Sequence, residues 1–64
     1  MNRNELQKCR ETLDNYKTWE CICNNVAAVE SFVSMAYDGI DFDTNFELHQ
    51  MATALGPMVS VRKK

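Results

Sequence analysis

The chain has 64 residues and a formal net charge of −2, with 7 Lys and Arg residues against 9 Asp and Glu residues. A chain of this length can form one small domain, whose core supplies only a small net stability. The acidic balance argues against binding the phosphate backbone of nucleic acids. No apolar run reaches the roughly 18 residues that a membrane-spanning helix needs, so we expect no contact with a membrane.

The first predicted element is a helix over residues 3–15. Its apolar positions recur at the three- and four-residue spacing of one helix face, at Leu6, Cys9, Leu13 and Tyr16. On a continuous helix this stripe would lie about 160–180° from the apolar face of the next segment, which predicts a break near residues 14–18. Thr18 is the expected cap after the break. The alternative is one long helix over residues 3–38, with a different partner on each half.

The second predicted helix spans residues 18–38 and has a wide apolar surface. Its apolar arc covers about 200° of the circumference, whereas one neighbouring helix covers roughly 100°. A second copy of the chain is the simplest source of the missing cover, so we predict a homodimer. Asn25 lies on this arc and either fixes the register by pairing with its symmetry mate or remains half exposed near the helix start. The predicted dimer interface is Ile22, Asn25, Val26, Val29, Phe32, Val33 and Ala36.

The third predicted helix spans residues 44–55. Thr44 and Glu47 fit a capping box, in which each side chain bonds to the backbone N–H of the other residue. Gly56 followed by Pro57 is typical of a helix end.

The predicted fold class is all-α. Gly39 ends the second helix and leaves a short connection, which favours antiparallel neighbours. Residues 1–64 are therefore expected to be a single small helical domain, a helical hairpin or three-helix unit assembled as a homodimeric helical bundle. Residues 57–64 are expected to be a mobile basic tail.

The acidic residues around position 41 are spaced like the ligands of a calcium loop. Counting from Asp41, however, the positions that require Gly and Glu hold Phe46 and Ala52. A zinc site is equally poorly supported, because Cys21 and Cys23 on a helix would point about 160° apart. The candidate zinc ligands are Cys9, Cys21, Cys23 and His49. We predict no metal and no cofactor.

A catalytic role is not expected. His49 is the single histidine, and a chain of this size leaves little room for both a core and a substrate pocket. The 3 cysteines are an odd number, and the polar start of the sequence does not resemble a secretory signal. We therefore expect a cytoplasmic protein with reduced thiols.

The charged residues are unevenly distributed along the sequence. No Lys or Arg lies between Thr18 and Val61, whereas that stretch holds several acids. An acidic body attracts a basic partner surface, and aromatic residues beside acids are common in protein-binding sites. Phe42 is the expected exposed anchor. The predicted partner-binding residues are Tyr37, Asp38, Asp41, Phe42, Asp43 and Glu47.

These observations predict a non-catalytic protein-binding module, a small inhibitor or regulator that occupies a basic surface of a larger protein. In size and helical pattern the chain resembles accessory proteins of phages and plasmids in general, a likeness that implies no particular activity. The alternative is a small DNA-associated regulator that uses the basic ends, Arg3, Lys8, Arg10, Arg62, Lys63 and Lys64.

Overall fold

The computed structural model describes residues 2–64, in which helices pack on one face of a three-stranded antiparallel sheet. The fold is α+β, and the predicted all-α helical hairpin is wrong. In chain order the elements are α1 (Arg3–Tyr16), β1 (Thr18–Ile22), α2 (Val26–Ala36), α3 (Phe42–Asn45), β2 (Phe46–Thr53) and β3 (Gly56–Lys63).

Helix α1 confirms the first predicted helix. The Asn2 side chain caps it by accepting a hydrogen bond from the Glu5 N–H at 2.9 Å. The helix stops at Lys17, which has a left-handed φ of 64° and donates its N–H to the Leu13 carbonyl at 2.9 Å. The predicted break is therefore present, but Thr18 begins a strand and caps nothing.

Strand β1 occupies the first part of the second predicted helix. Its side chains alternate, so that Trp19 and Cys21 pack toward the helices while Glu20 lies on the other face. Helix α2 begins only at Val26, because the Asn25 side chain caps it by accepting from the Ala28 N–H at 3.1 Å. The predicted helix over residues 18–38 is thus wrong in its first half and correct over α2.

The third predicted helix is also wrong, because only the single turn of α3 is helical. Asp41 caps α3 by accepting from the Thr44 N–H at 2.9 Å and from the Thr44 hydroxyl, so the proposed capping box with Glu47 does not form. Residues 46–53 form β2, which turns through two residues into β3. Gly56 begins β3 with a φ of 121°, a conformation that other residues rarely adopt.

Residues 57–64, expected to be a mobile tail, belong almost entirely to β3, the central strand of the sheet. The strand order is β1-β3-β2, so β3 hydrogen-bonds to a neighbour on each side. Val59 and Val61 are 1% and 0% exposed, because they lie beneath the helices. The basic residues at the end of the sequence are thereby fixed beside the acidic start of β2.

The core lies between the helices and one face of the sheet. Ser34 fastens the loop after α2 to this layer by donating its hydroxyl hydrogen to the Ile40 carbonyl at 2.6 Å. The opposite face of the sheet is left for solvent or for a partner. The buried apolar residues are Cys9 and Leu13 of α1, Val29, Val33 and Ala36 of α2, Phe42 of α3, Phe46 of β2, and Val59 and Val61 of β3.

Candidate functional site

The residues predicted to bind a partner have different environments. Phe42 is buried, with its ring centroid 5.4 Å from that of Phe46, and so is not an exposed anchor. Glu47 is exposed on the sheet face that turns away from the helices. The turn residues Asp38, Asp41 and Asp43 remain exposed.

The structure brings cations to these acids from distant parts of the sequence. The Arg10 guanidinium lies 3.7 Å from the Asp38 carboxylate, and the Lys64 ammonium donates to the Asp43 carbonyl at 2.7 Å. Hydrogen bonds from Thr44 lower the pKa of Asp41, and the charge of Lys64 lowers it further. The turn is therefore not the uncompensated acidic surface that the sequence predicts.

Tyr37 lies at the centre of a polar cluster that joins three elements. Its hydroxyl donates to the Asp14 carboxylate, which also accepts from Lys63 at 3.0 Å. The Arg10 guanidinium lies 4.8 Å from the Tyr37 ring centroid, a cation–π distance. Burial and the Asp14 carboxylate raise the pKa of Tyr37 well above its ordinary value. These contacts tie α1, the end of α2 and β3 together, so Tyr37 has a structural role.

The same cluster predicts a specific pH dependence of stability. The hydrogen bonds from Tyr37 and Lys63 lower the pKa of Asp14, so its contribution is present above the ordinary carboxyl pKa and is lost as the pH falls through the lowered value. We expect Asp14→Asn to unfold at lower urea concentration than the wild type at pH 7, and the difference to shrink as the pH falls below the ordinary carboxyl pKa and through the lowered value.

Asp43→Asn is the matched control, because the Asp43 carboxylate has no hydrogen-bond or ion-pair partner within residues 2–64. Asp43→Asn should change the midpoint of urea unfolding little, both at pH 7 and at low pH. If the wild type still unfolds at a higher urea concentration than Asp14→Asn at low pH, the stabilising role assigned to the ionised Asp14 carboxylate is wrong.

The predicted dimer interface on α2 faces the core of its own chain. Val29, Val33 and Ala36 are buried against α1 and the sheet. Phe32 is half-buried and stacks on Trp19, with ring centroids 5.5 Å apart. The remaining positions are the cap Asn25, the half-buried Val26, and Ile22, which lies on the opposite face of the sheet.

The structure orients Cys21 and Cys23 differently from the helical prediction. Cys21 and Cys23 are on one face of an extended segment, whereas the helical prediction has them pointing apart. Burial and the neighbouring Cys21 raise the pKa of Cys9 to about 12, and burial followed by Cys23 raises that of Cys21. These two thiols are therefore protonated and poor nucleophiles at neutral pH. Among the described residues, no three His, Cys, Asp or Glu side chains are placed to hold a metal ion.

The basic ends do not form a separate basic surface. Arg10 and Lys63 both pair with Asp14, and Lys64 is bonded to the backbone of Asp43. Arg62 is aligned with Glu47 across the sheet. Acids thus pair with Arg10 and Lys63, whereas Arg3 and Lys8 have no ion-pair partner among residues 2–64. This partial neutralisation weakens the DNA-associated alternative.

The face of the sheet that turns away from the helices, here called the open face, carries nine side chains in three aligned rows. Ser60 at its centre is only 4% exposed, although none of the core residues within residues 2–64 lies on this face. Ile22 and Met51 are 50% and 45% exposed. The rows are Thr18, Arg62 and Glu47; then Glu20, Ser60 and His49; then Ile22, Met58 and Met51.

The outer edge of β2 is a second exposed feature. The Lys64 N–H donates to the Asn45 carbonyl at 3.0 Å, so the backbone carbonyl of Asn45 points toward β3. Because this direction alternates along an antiparallel pair, the backbone N–H and C=O groups of Leu48, Gln50 and Ala52 point outward, away from β3. No backbone group in residues 2–64 bonds to these outward groups. β1, the other edge strand, is shorter and lies against α1.

Comparison of the chain with models of protein families, with curated proteins and with solved structures gives no match. The open face and the β2 edge are therefore the features of the structure that bear on function. Neither α1 nor any other helix within residues 2–64 has both the length and the apolar character needed to cross a bilayer.

Proposed function

We propose that this protein is a non-catalytic protein-binding module, a small cytoplasmic regulator that inhibits or modulates a larger protein by occupying part of its surface. The observation that carries the proposal is the unpaired outer edge of β2. An extended segment of a partner can add to such an edge as a further strand, because the backbone hydrogen bonds supply affinity. The half-buried and buried thiols are compatible with a reducing compartment.

The β2 edge lacks most of the devices that usually prevent strand addition. Natural edge strands are short, or carry Lys, Pro or a bulge that blocks pairing. β2 is 8 residues long, contains neither Lys nor Pro, and pairs with β3 in an unbroken register. An edge of this kind is a favourable docking strand.

Side chains on either side of the edge can supply specificity. Glu47, His49 and Met51 are exposed on the open face, and Gln50 and Ala52 are exposed on the other face. A partner strand would contact both sets because successive side chains point to opposite faces. Asp43 and Glu47 lie near the start of the edge and favour a basic residue on the partner strand there.

Gln50→Pro tests the proposal with little disturbance to the sheet. The Gln50 N–H points outward, so proline removes a donor for a partner strand and leaves the bonds between β2 and β3 in place. Gln50→Ala is the matched control, because it shortens the same side chain and keeps the N–H.

We expect immobilised wild type and Gln50→Ala to retain the same protein from an extract of the native host, and Gln50→Pro to lose it. Equal far-UV circular dichroism spectra and melting temperatures would show that the three proteins are folded. Hydrogen exchange should then show slower exchange at Leu48, Gln50 and Ala52 when the purified partner is bound. Retention of the partner by folded Gln50→Pro would refute the proposal.

A further inference from the structure

The open face differs from the usual solvent face of an antiparallel sheet. Such a face is normally polar, with the apolar residues turned to the core. Here one complete row, Ile22, Met58 and Met51, is apolar, and two of its three side chains are about half exposed. The next row is the acid, hydroxyl and imidazole of Glu20, Ser60 and His49. An ordered surface of this composition fits a protein partner.

The arrangement of these rows is complementary to itself. Two copies can stack with their open faces together, related by a two-fold axis that lies between the sheets and runs parallel to β3. This axis places β1 of one chain over β2 of the other. Each row then lies directly over the same row of the second copy. Glu20 then faces His49 of the second copy, and Ile22 faces Met51, each pair occurring twice. Ser60 faces Ser60 on the axis, where its small side chain lets the long neighbours meet.

The charged row also fits this axis. The two Arg62 side chains approach each other at the centre, with Glu47 of one chain on one side and Glu47 of the other chain on the opposite side. Each guanidinium is thus aligned with Glu47 of its own chain, whose carboxylate lies 3.4 Å from the His49 imidazole, and has the other Glu47 across the interface. The arrangement leaves no net excess of like charge around the axis.

We infer that the open face is the interface of a homodimer in which two sheets stack face to face, with Glu20 of each copy bonded to His49 of the other. Stacked sheets lie about 10 Å apart and align within about 30°, which keeps the aligned rows in contact. This dimer uses the sheet, not the apolar arc of α2, and leaves the β2 edge free. It shares the exposed Glu47, His49 and Met51 side chains with the proposed partner site, but its test requires no partner.

An exchange of charge tests the dimer. His49→Glu places two carboxylates opposite each other at two symmetric positions, and we expect it to raise the dimer dissociation constant at least tenfold. Glu20→Lys should weaken the dimer by removing the carboxylate that bonds to His49. The double variant Glu20→Lys with His49→Glu places an ammonium opposite a carboxylate and should return the dissociation constant to within about threefold of the wild type.

Sedimentation equilibrium over about 1 µM to 1 mM measures these constants, because nine side chains per chain make a small interface of moderate affinity. Glu11→Lys is the matched control for charge. Glu11 is exposed on α1, on the far side of the molecule from the open face, so this variant should dimerise like the wild type. A wild type that stays monomeric, an unchanged constant in His49→Glu, or a double variant as weak as His49→Glu would each overturn the inference.

An NMR measurement on the wild type does not depend on the folding of any variant. In a mixture of differently labelled chains, isotope-filtered spectra should show a contact between the Ile22 and Met51 methyl groups of different copies. Within one chain these residues are two strands apart, about 10 Å. Intermolecular contacts confined to α2 in place of this pair would contradict the face-to-face arrangement.

Discussion

Val61→Asp is expected to unfold the protein. Val61 is 0% exposed in the central strand, aligned with Trp19 on one side and Leu48 on the other. An aspartate there would be buried among apolar side chains without a partner, which costs several kcal/mol. A domain of this size has roughly 3–5 kcal/mol of stability in total, so the folded state should no longer predominate.

Urea unfolding followed by circular dichroism measures this effect. Leu55→Asp makes the same kind of change at the tip of the β2-β3 hairpin, where Leu55 is 83% exposed, and should shift the midpoint little. If Val61→Asp unfolds at the wild-type midpoint, the segment from Gly56 to Lys63 is a tail and not the central strand.

Phe46→Ala is expected to have the second largest effect. Phe46 is 2% exposed, and its ring centroid lies 5.4 Å from those of both Phe42 and Tyr37. Truncation of a buried phenylalanine costs about 3–5 kcal/mol, through lost burial and the cavity that remains. The loss should therefore approach the entire stability of the domain.

Phe46→Leu keeps much of the side-chain volume and should remain folded, with a midpoint between those of the wild type and Phe46→Ala. Tyr16→Ala removes an aromatic ring that is 75% exposed and serves as the control. Thermal and urea denaturation both measure the order of stability of the wild type and these variants. An effect of Phe46→Ala no larger than that of Tyr16→Ala would mean that the three rings do not form a core.

Helix α1 could be predicted from the sequence because its signals are local. The apolar stripe through Cys9 and Leu13 has one consistent period, and its cap lies next to it in the chain. β1 could not be separated from α2 in the same way. Ile22 falls by chance at helical spacing from Val26, so the apolar spacing of α2 continues backward into the strand.

The errors at β2 and β3 have a different physical origin. Leu48, Met51 and Leu55 have helical spacing, but pairing with β3 outweighs the local preference of this segment. The alternation at Val59 and Val61 is visible in the sequence, yet a strand gains stability only from neighbours that are distant in the chain.

The candidate surfaces were equally hard to predict, because they also depend on contacts between segments that are distant in the chain. The acids of the turn could be read from the sequence, but the return of Lys64 to them depends on β3. The rows of the open face and the outward direction of the Gln50 N–H both follow from strand register, which no single segment specifies. The alternation of polar and apolar residues in β1 and in β3 is the part of this arrangement that is visible in the sequence.

The strand order has a consequence for synthesis of the chain. β1 and β2 are edge strands that each need β3 between them, and β3 is the last of the three to leave the ribosome. Until Gly56 to Lys63 have emerged, the earlier segments can form local helices but no sheet. Folding of the sheet must therefore wait for β3, and the nascent chain carries unpaired strand segments that chaperones can bind in the interval.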